Sequence, residues 1–248
     1  MSHKQYRKTL SVLRGRINVL EALMSAGKWD EIEFDKIPSK AGLIYKNAFA
    51  RRDIIAKKYE AFAKSSETKV NAKTLYPYEV VEQAIKAGWY CHDDDPDKAM
   101  VEKYWNNLPD YFNGEPASIM CVVDTSASMR GMPINVAISL GMYCAERIGG
   151  PFAGHYISFA SRPQLIKVEG VDFVDKVRRI YRTNLCDNTN LEATFDLVLE
   201  MAKKSKPEDI PKTLVVISDM QIDRMTGPYW YGPAGMKKWT EQSAATDM

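Results

Sequence analysis

Apolar residues follow two different rhythms along this chain, and the change comes at residue 119. Before it, Tyr6, Leu10, Leu13, Ile17, Leu20 and Met24 recur at steps of three and four, which gathers side chains on one helix face and predicts a single helix stopped at Gly27. Pro38-Ser39 opens a second helical run in which Ile44, Ala48, Ile55, Tyr59 and Phe62 alternate with Lys and Arg. Pro77 to Ala87 reads as a third helix ending at Gly88, and Pro96-Asp97 starts a fourth that runs through Trp105. Residues 1–112 are therefore expected to form an α-helical N-terminal region.

From Ile119 the apolar positions become continuous. Ile119, Met120, Cys121, Val122 and Val123 have the composition of a strand buried on both faces of a parallel sheet. Pro133 to Arg147 then reads as a helix broken by Gly149-Gly150-Pro151. His155 to Phe159 and Leu165 to Val168 read as an antiparallel pair around Arg162-Pro163. Val171 to Tyr181 and Leu191 to Lys204 read as helices, and Leu214 to Ile217 as another fully apolar strand. Strands alternating with helices predict an α/β fold over residues 113–248, with a doubly wound, mostly parallel sheet.

Length and composition agree with a folded globule: 248 residues, 45% hydrophobic and 27% charged, can bury a substantial core. No run approaches the ~18 apolar residues of a membrane span, and MSHKQYRKTL lacks the apolar block of a secretory signal, so a cytoplasmic protein without membrane contact is expected. The cysteines Cys91, Cys121, Cys144 and Cys186 form no CxxC pair and read as reduced thiols, Cys121 and Cys144 as small core residues. The net charge of +2 conceals an asymmetry. Residues 1–70 carry 15 Lys and Arg against 8 acidic residues, residues 71–118 carry 4 against 9, and the remainder balances. Arg7, Lys8, Arg14, Arg51, Arg52, Lys57 and Lys58 are thus candidates for binding a polyanion, unless they only solvate helix faces.

The candidate chemistry lies at the ends of the apolar strands. CVVDTSASM places Asp124 just past the carboxyl end of the first strand, where open α/β sheets bind ligands, with Ser126 and Ser128 in the following loop. TLVVISDM ends the same way at Asp219, and Asp187-Asn188-Thr189-Asn190 precedes a helix and offers another hydroxyl. Carboxylates and hydroxyls are hard donors, so a site without His or Cys favours Mg²⁺, Mn²⁺ or Ca²⁺ over zinc. Neutral hydroxyls nearest the ion, with aspartates partly acting through water, leave it electrophilic toward an acidic group of a partner. The other acidic run, CHDDDPD at 91–97, reads as a helix start, with Asp95 capping ahead of Pro96, although His92 and its neighbouring carboxylates could also bind metal.

These residues resemble a known family. Asp124-Thr125-Ser126-Ala127-Ser128 resembles the DxSxS signature of von Willebrand factor A domains, Thr189 falls where that family supplies a threonine, and Ser218-Asp219 resembles its second aspartate. The resemblance implies a metal-ion-dependent adhesion site of Asp124, Ser126, Ser128, Thr189 and Asp219, and a protein partner with an exposed carboxylate. The pairing of helices with such a domain also resembles an uncharacterised family of unknown function and, more distantly, the Ro autoantigen, on KIPSK at 36–40, LYPYEVV at 75–81 and the stretch 119–223. The Ro likeness implies RNA as an alternative partner, bound by the basic helices. Domains of the von Willebrand type continue beyond the second aspartate with another strand and a helix. Here 29 residues follow Asp219 and Gly227 to Pro233 reads as a loop, so a C-terminally incomplete sheet, or one completed by a second chain, is expected.

Other uses of these residues fit less well. Asp124-Thr125-Ser126 resembles half of an aspartic protease dyad, but no second DTG or DTS occurs and the following helix does not suit an all-β protease. A haloacid-dehalogenase phosphatase needs an aspartate where Ser126 stands. Ser126 and Ser128 could merely cap a helix. No nucleophile and general base pair stands out, so binding rather than catalysis is expected.

Overall fold

A computed structural model describes residues 1–17, 19–90, 95–114, 118–183 and 189–220, and the structural statements below concern these residues. They form two compact units. One comprises Met1–Tyr76 and Lys86–Pro109, the other Pro77–Ile85 and the described residues from Asp110 onward.

The first unit is helical, with α1 (His3–Arg16), α2 (Leu20–Ser25), α3 (Ser39–Ala50), α4 (Asp53–Lys64), the end of α5 (Pro77–Tyr90) and α6 (Pro96–Asn106). The single helix expected up to Gly27 is two. Ser2 caps α1, its hydroxyl accepting from Gln5 N–H while Gln5 Oε1 accepts from Ser2 N–H. Ile17 then leaves helical geometry and Val19 is extended at ψ 146°. The break lets Leu20 turn inward, whereas α1 buries none of its residues and leaves Tyr6, Leu13 and Ile17 exposed. The run from Ser39 to Phe62 is also two helices, parted at Arg52, which is extended and sets its guanidinium 4.9 Å from the centre of the Trp29 ring. The inward face of α3 is Leu43, Lys46 and Phe49, and Ile44 points outward, so the stripe on this helix differs from the one expected. Helix α5 continues through Gly88 rather than ending there. Asp95 caps α6, its carboxylate accepting from Asp97 N–H at 2.8 Å; the rest of the acidic run, Cys91 to Asp94, lies outside the described residues.

Phe34 packs against the rings of Phe49, Tyr59 and Phe62 at 5.3 to 5.5 Å in the centre of this unit. Beside them α3, α4 and α6 share a buried polar joint: Lys46 Nζ donates to Asp97 Oδ2 at 2.6 Å, and Tyr59 O–H donates to Asp97 Oδ1 at 3.2 Å. Burial raises the Tyr59 phenol far above its ordinary value, with the Asp97 charge adding to the effect, so it stays a donor. Lys103 closes the end of α4 by donating to the carbonyls of Phe62 and Ser65 and to the Thr68 hydroxyl.

The second unit is α/β. Its sheet has the order β3-β2-β1-β4, with β1 (Ile119–Asp124) parallel to both β2 (His155–Phe159) and β4 (Thr213–Ile217), and β3 (Leu165–Lys167) antiparallel to β2. Side chains alternate across β1, so Met120 and Val122 face one way and Cys121 and Val123 the other. Met120, Val122, Ile157 and Phe159 pack under α9 (Leu191–Lys204) through Leu191, Leu197, Val198 and Met201. On the opposite face lies α7 (Met132–Ala145), where Gly141 sits so close to β1 that a Cβ there would strike Val123 Cγ2. Helix α8 (Phe173–Thr183) begins two residues after the expected start. Helices on both faces of a mostly parallel sheet make this a doubly wound fold. Among the described residues β4 pairs only with β1, and Val215 and Val216 are 36% and 42% exposed, so this apolar strand is far less buried than β1. Residues after Met220, where the incomplete sheet was expected, lie outside the described residues.

The Lys46 and Asp97 side chains are 6% and 10% exposed, which makes their pairing testable. Asp97→Ala strands a buried ammonium and is expected to lower stability by about 3–5 kcal/mol. Urea unfolding measured through the Trp and Tyr signal checks this; Asp97→Asn, which keeps an acceptor, is expected to lose less.

Candidate functional site: an oxygen-rich rim at the ends of two parallel strands

The register of β1 with β4 builds the site. Val123 stands beside Ile217, so the next residues, Asp124 and Ser218, leave the sheet side by side. The strand alternation and the packing of β1 between two helix layers leave Asp124 fully buried. Its carboxylate is fixed at both oxygens: Oδ1 accepts from Ser126 N–H at 2.9 Å, and Oδ2 accepts from the Ser218 hydroxyl at 2.5 Å. Among the described residues no Lys, Arg or His forms an ion pair with it. Hydrogen bonds offset part of the desolvation of a buried carboxylate, and a cation beside it would balance its charge.

The loop after β1 supplies neutral oxygens. Ser126 is buried and extended, a single tight turn spans Ala127–Met129, and Met129 is anchored in the core. This places the hydroxyls of Ser126 and Ser128 3.0 Å apart. Gly131, at φ +91°, then reverses the chain into α7 in a conformation that side-chain-bearing residues rarely adopt. The capping alternative for Ser126 does not hold in this loop, because its side chain makes no cap hydrogen bond.

The remaining expected residues sit at the same rim by position. Met120 at the start of β1, Leu214 at the start of β4 and Met201 near the end of α9 line one small cavity, so α9 begins at the opposite end, where the strands finish. Thr189 is buried just ahead of Asn190, which caps α9 by accepting from Ala193 N–H at 3.0 Å. Asp219 is exposed and follows Ser218 directly. Asp187 and Asn188 lie outside the described residues.

Asp124, Ser126, Ser128 and Ser218 are thus joined by hydrogen bonds, while Thr189 and Asp219 are placed by their elements. Ser218 was not among the expected site residues. Aligning the two apolar strands at their ends, CVVD against VVIS, is the signal that finds it. The donor set suits a hard divalent ion: it combines a fully buried carboxylate, without a cationic partner among the described residues, with neutral hydroxyls. Among the described residues no group of three or more His, Cys, Asp or Glu side chains is placed to hold a metal ion, so any ion here would depend on the hydroxyls beside Asp124.

The basic residues are divided between roles. Arg7, Lys8 and Arg14 lie exposed on α1, and Arg51 and Lys57 are exposed at the turn into α4 and on α4 itself. Arg52 stacks on Trp29, and Lys58 donates to the carbonyls of Asp30 and Ile32. Both therefore serve the fold of the helical unit. Among the described residues no helix is long and apolar enough to cross a membrane.

The sheet unit defines the class to which the chain belongs. Residues 118–246 match the family described as a domain of unknown function (DUF7788), which takes in more than half of the chain, and the chain belongs to that family. Residues 1–113 match a second domain of unknown function (DUF2828). The chain is also similar to an uncharacterised protein of Acanthamoeba polyphaga mimivirus, with 33% identity across 97% of the chain, and it spans 44% of that relative's length. No solved structure matches.

Ser218→Ala removes the donor to Asp124 Oδ2 and leaves a buried charged acceptor short of one bond. A loss of about 1–3 kcal/mol is expected, measured by urea unfolding with divalent ions chelated.

Proposed function

We propose that the chain is a divalent-metal-dependent interaction module, in which a metal-ion-dependent adhesion site like that of von Willebrand factor A domains binds an acidic group of a protein partner. One observation carries this reading: the Asp124 carboxylate is fully buried at the end of β1, held at both oxygens, and has no cationic partner among the described residues. Asp124, Ser126, Ser128, Thr189 and Asp219 would hold Mg²⁺, or Mn²⁺ or Ca²⁺. A bound ion supplies a positive centre for a partner's carboxylate oxygen. The chain's own residues would keep that centre positive, because two of the donors offered to it are the neutral hydroxyls of Ser126 and Ser128. Ser218 and the Ser126 amide hold Asp124 in one orientation, so its negative charge is fixed before any ligand arrives. The rim is read as a binding site rather than a catalytic one.

Mg²⁺ is expected to raise the melting temperature of the parent chain, with stabilisation of about 2.7 kcal/mol at a hundredfold excess over its dissociation constant. Asp124→Ala should abolish the response. Identical melting of the parent chain with Mg²⁺ and with chelator contradicts the reading.

A second reading, an RNA-associated protein of Ro-like architecture, rests on α1. Among residues His3–Arg16 there are five Lys and Arg, no acidic residue and no buried side chain. Arg7, Lys8 and Arg14 offer phosphate contacts, joined on α4 and the turn before it by Lys57 and Arg51. Filter binding is expected to retain RNA at low salt, with affinity falling steeply as salt rises, and Arg7→Glu with Lys8→Glu is expected to weaken it. No retention at low salt removes this second reading.

A further inference from the structure

The packing of α7 on β1 brings two cysteines together. Strand alternation turns Cys121 to the same side as Val123, and Val123 lies against Gly141 of α7. Helix α7 returns the chain antiparallel to β1, since β1 and β2 are parallel and α7 connects them. A step from Gly141 to Cys144 therefore moves back toward the start of β1, as does a step from Val123 to Cys121. Three helical residues advance about 4.5 Å and two strand residues about 6.6 Å, so the two thiols end up facing one another. Each thiol acts on the other's acidity, which places the two sulfurs within reach of one another. Cys121 is fully buried and Cys144 is half-buried.

We infer that Cys121 and Cys144 form a redox-active dithiol, which a peroxide closes into a reversible disulfide between β1 and α7. The two cysteines have unequal roles. The interaction with Cys144 and burial push the Cys121 thiol up, whereas the same interaction, with the Arg147 guanidinium also favouring the anion, lowers Cys144. Cys144 is also the more accessible, so it is the sulfur that meets the oxidant.

The Cys144 thiolate attacks one oxygen of hydrogen peroxide. The O–O bond breaks, the departing hydroxide takes up the proton that Cys144 released, and Cys144 becomes a sulfenic acid. The Cys121 sulfur then attacks the Cys144 sulfur, the S–O bond breaks, and the hydroxide leaves as water with the Cys121 proton. Two thiols lose two electrons and one peroxide becomes two waters. The disulfide closes a ring that contains the whole loop bearing Ser126 and Ser128. This inference stands apart from the metal reading, because neither sulfur belongs to the oxygen rim.

The test is peptide mapping of the full chain under non-reducing conditions after brief peroxide treatment and thiol alkylation. A linked pair containing Cys121 and Cys144, with equal loss of free thiol at both and recovery with dithiothreitol, is the expected result. In Cys121→Ser, Cys144 should advance to sulfinic acid. In Cys144→Ser, Cys121 should stay reduced. Mapping of the unsubstituted chain decides the matter even where a variant fails to fold. Cys144 oxidised to sulfinic acid beside a reduced Cys121, linkage of either to Cys91 or Cys186 instead, or no oxidation of Cys144 would each overturn the inference.

Discussion

The buried carboxylate of Asp124 is the constraint on which the sheet unit turns. Placing an anion at the end of β1, fully out of water, works only because two separate pieces of chain reach it: the amide of its own loop and the hydroxyl at the end of β4. Those bonds fix where the loop departs and tie β4 to β1 beyond their last ladder residues. The turn that aligns the Ser126 and Ser128 hydroxyls starts from the same anchor.

The helical unit solves the same problem differently. Asp97 is also a buried carboxylate, but it receives a full countercharge from Lys46 and a phenol from Tyr59, all within the protein. Asp124 receives only dipoles from the described residues. In one unit the anion is neutralised internally and pins three helices. In the other it is oriented and left with charge to share, and this contrast favours a cation-dependent role for the rim over a purely structural one.

Much of the sheet unit was legible because its signals are local. A continuous apolar run followed by Asp-Thr-Ser marked β1 and its end, and α9 and β2 fell at the expected residues. The antiparallel β2–β3 pair was readable from Arg162-Pro163 between two short apolar runs. The helical region was harder. Spacing of three and four cannot reveal where a helix is interrupted, so the breaks before Leu20 and at Arg52 were missed. Lys46 was invisible as an inward position because its partner, Asp97, is 51 residues away. Ser218 is 94 residues from Asp124, and its hydrogen bond to that carboxylate follows from strand register, so only an alignment of the two strand ends finds it. The outward turn of Ile44 and the exposure of α1 depend on what packs where, which an apolar stripe alone does not specify.

The most direct test of the central claim is a crystal structure of the chain grown with Mn²⁺, with data collected at the manganese absorption edge. An anomalous peak within coordination distance of the Ser126 and Ser128 hydroxyls, beside the Asp124 carboxylate, is the result predicted. Manganese found only elsewhere, or absent at millimolar concentration while the Ser126–Ser128 and Asp124–Ser218 hydrogen bonds persist, would contradict it.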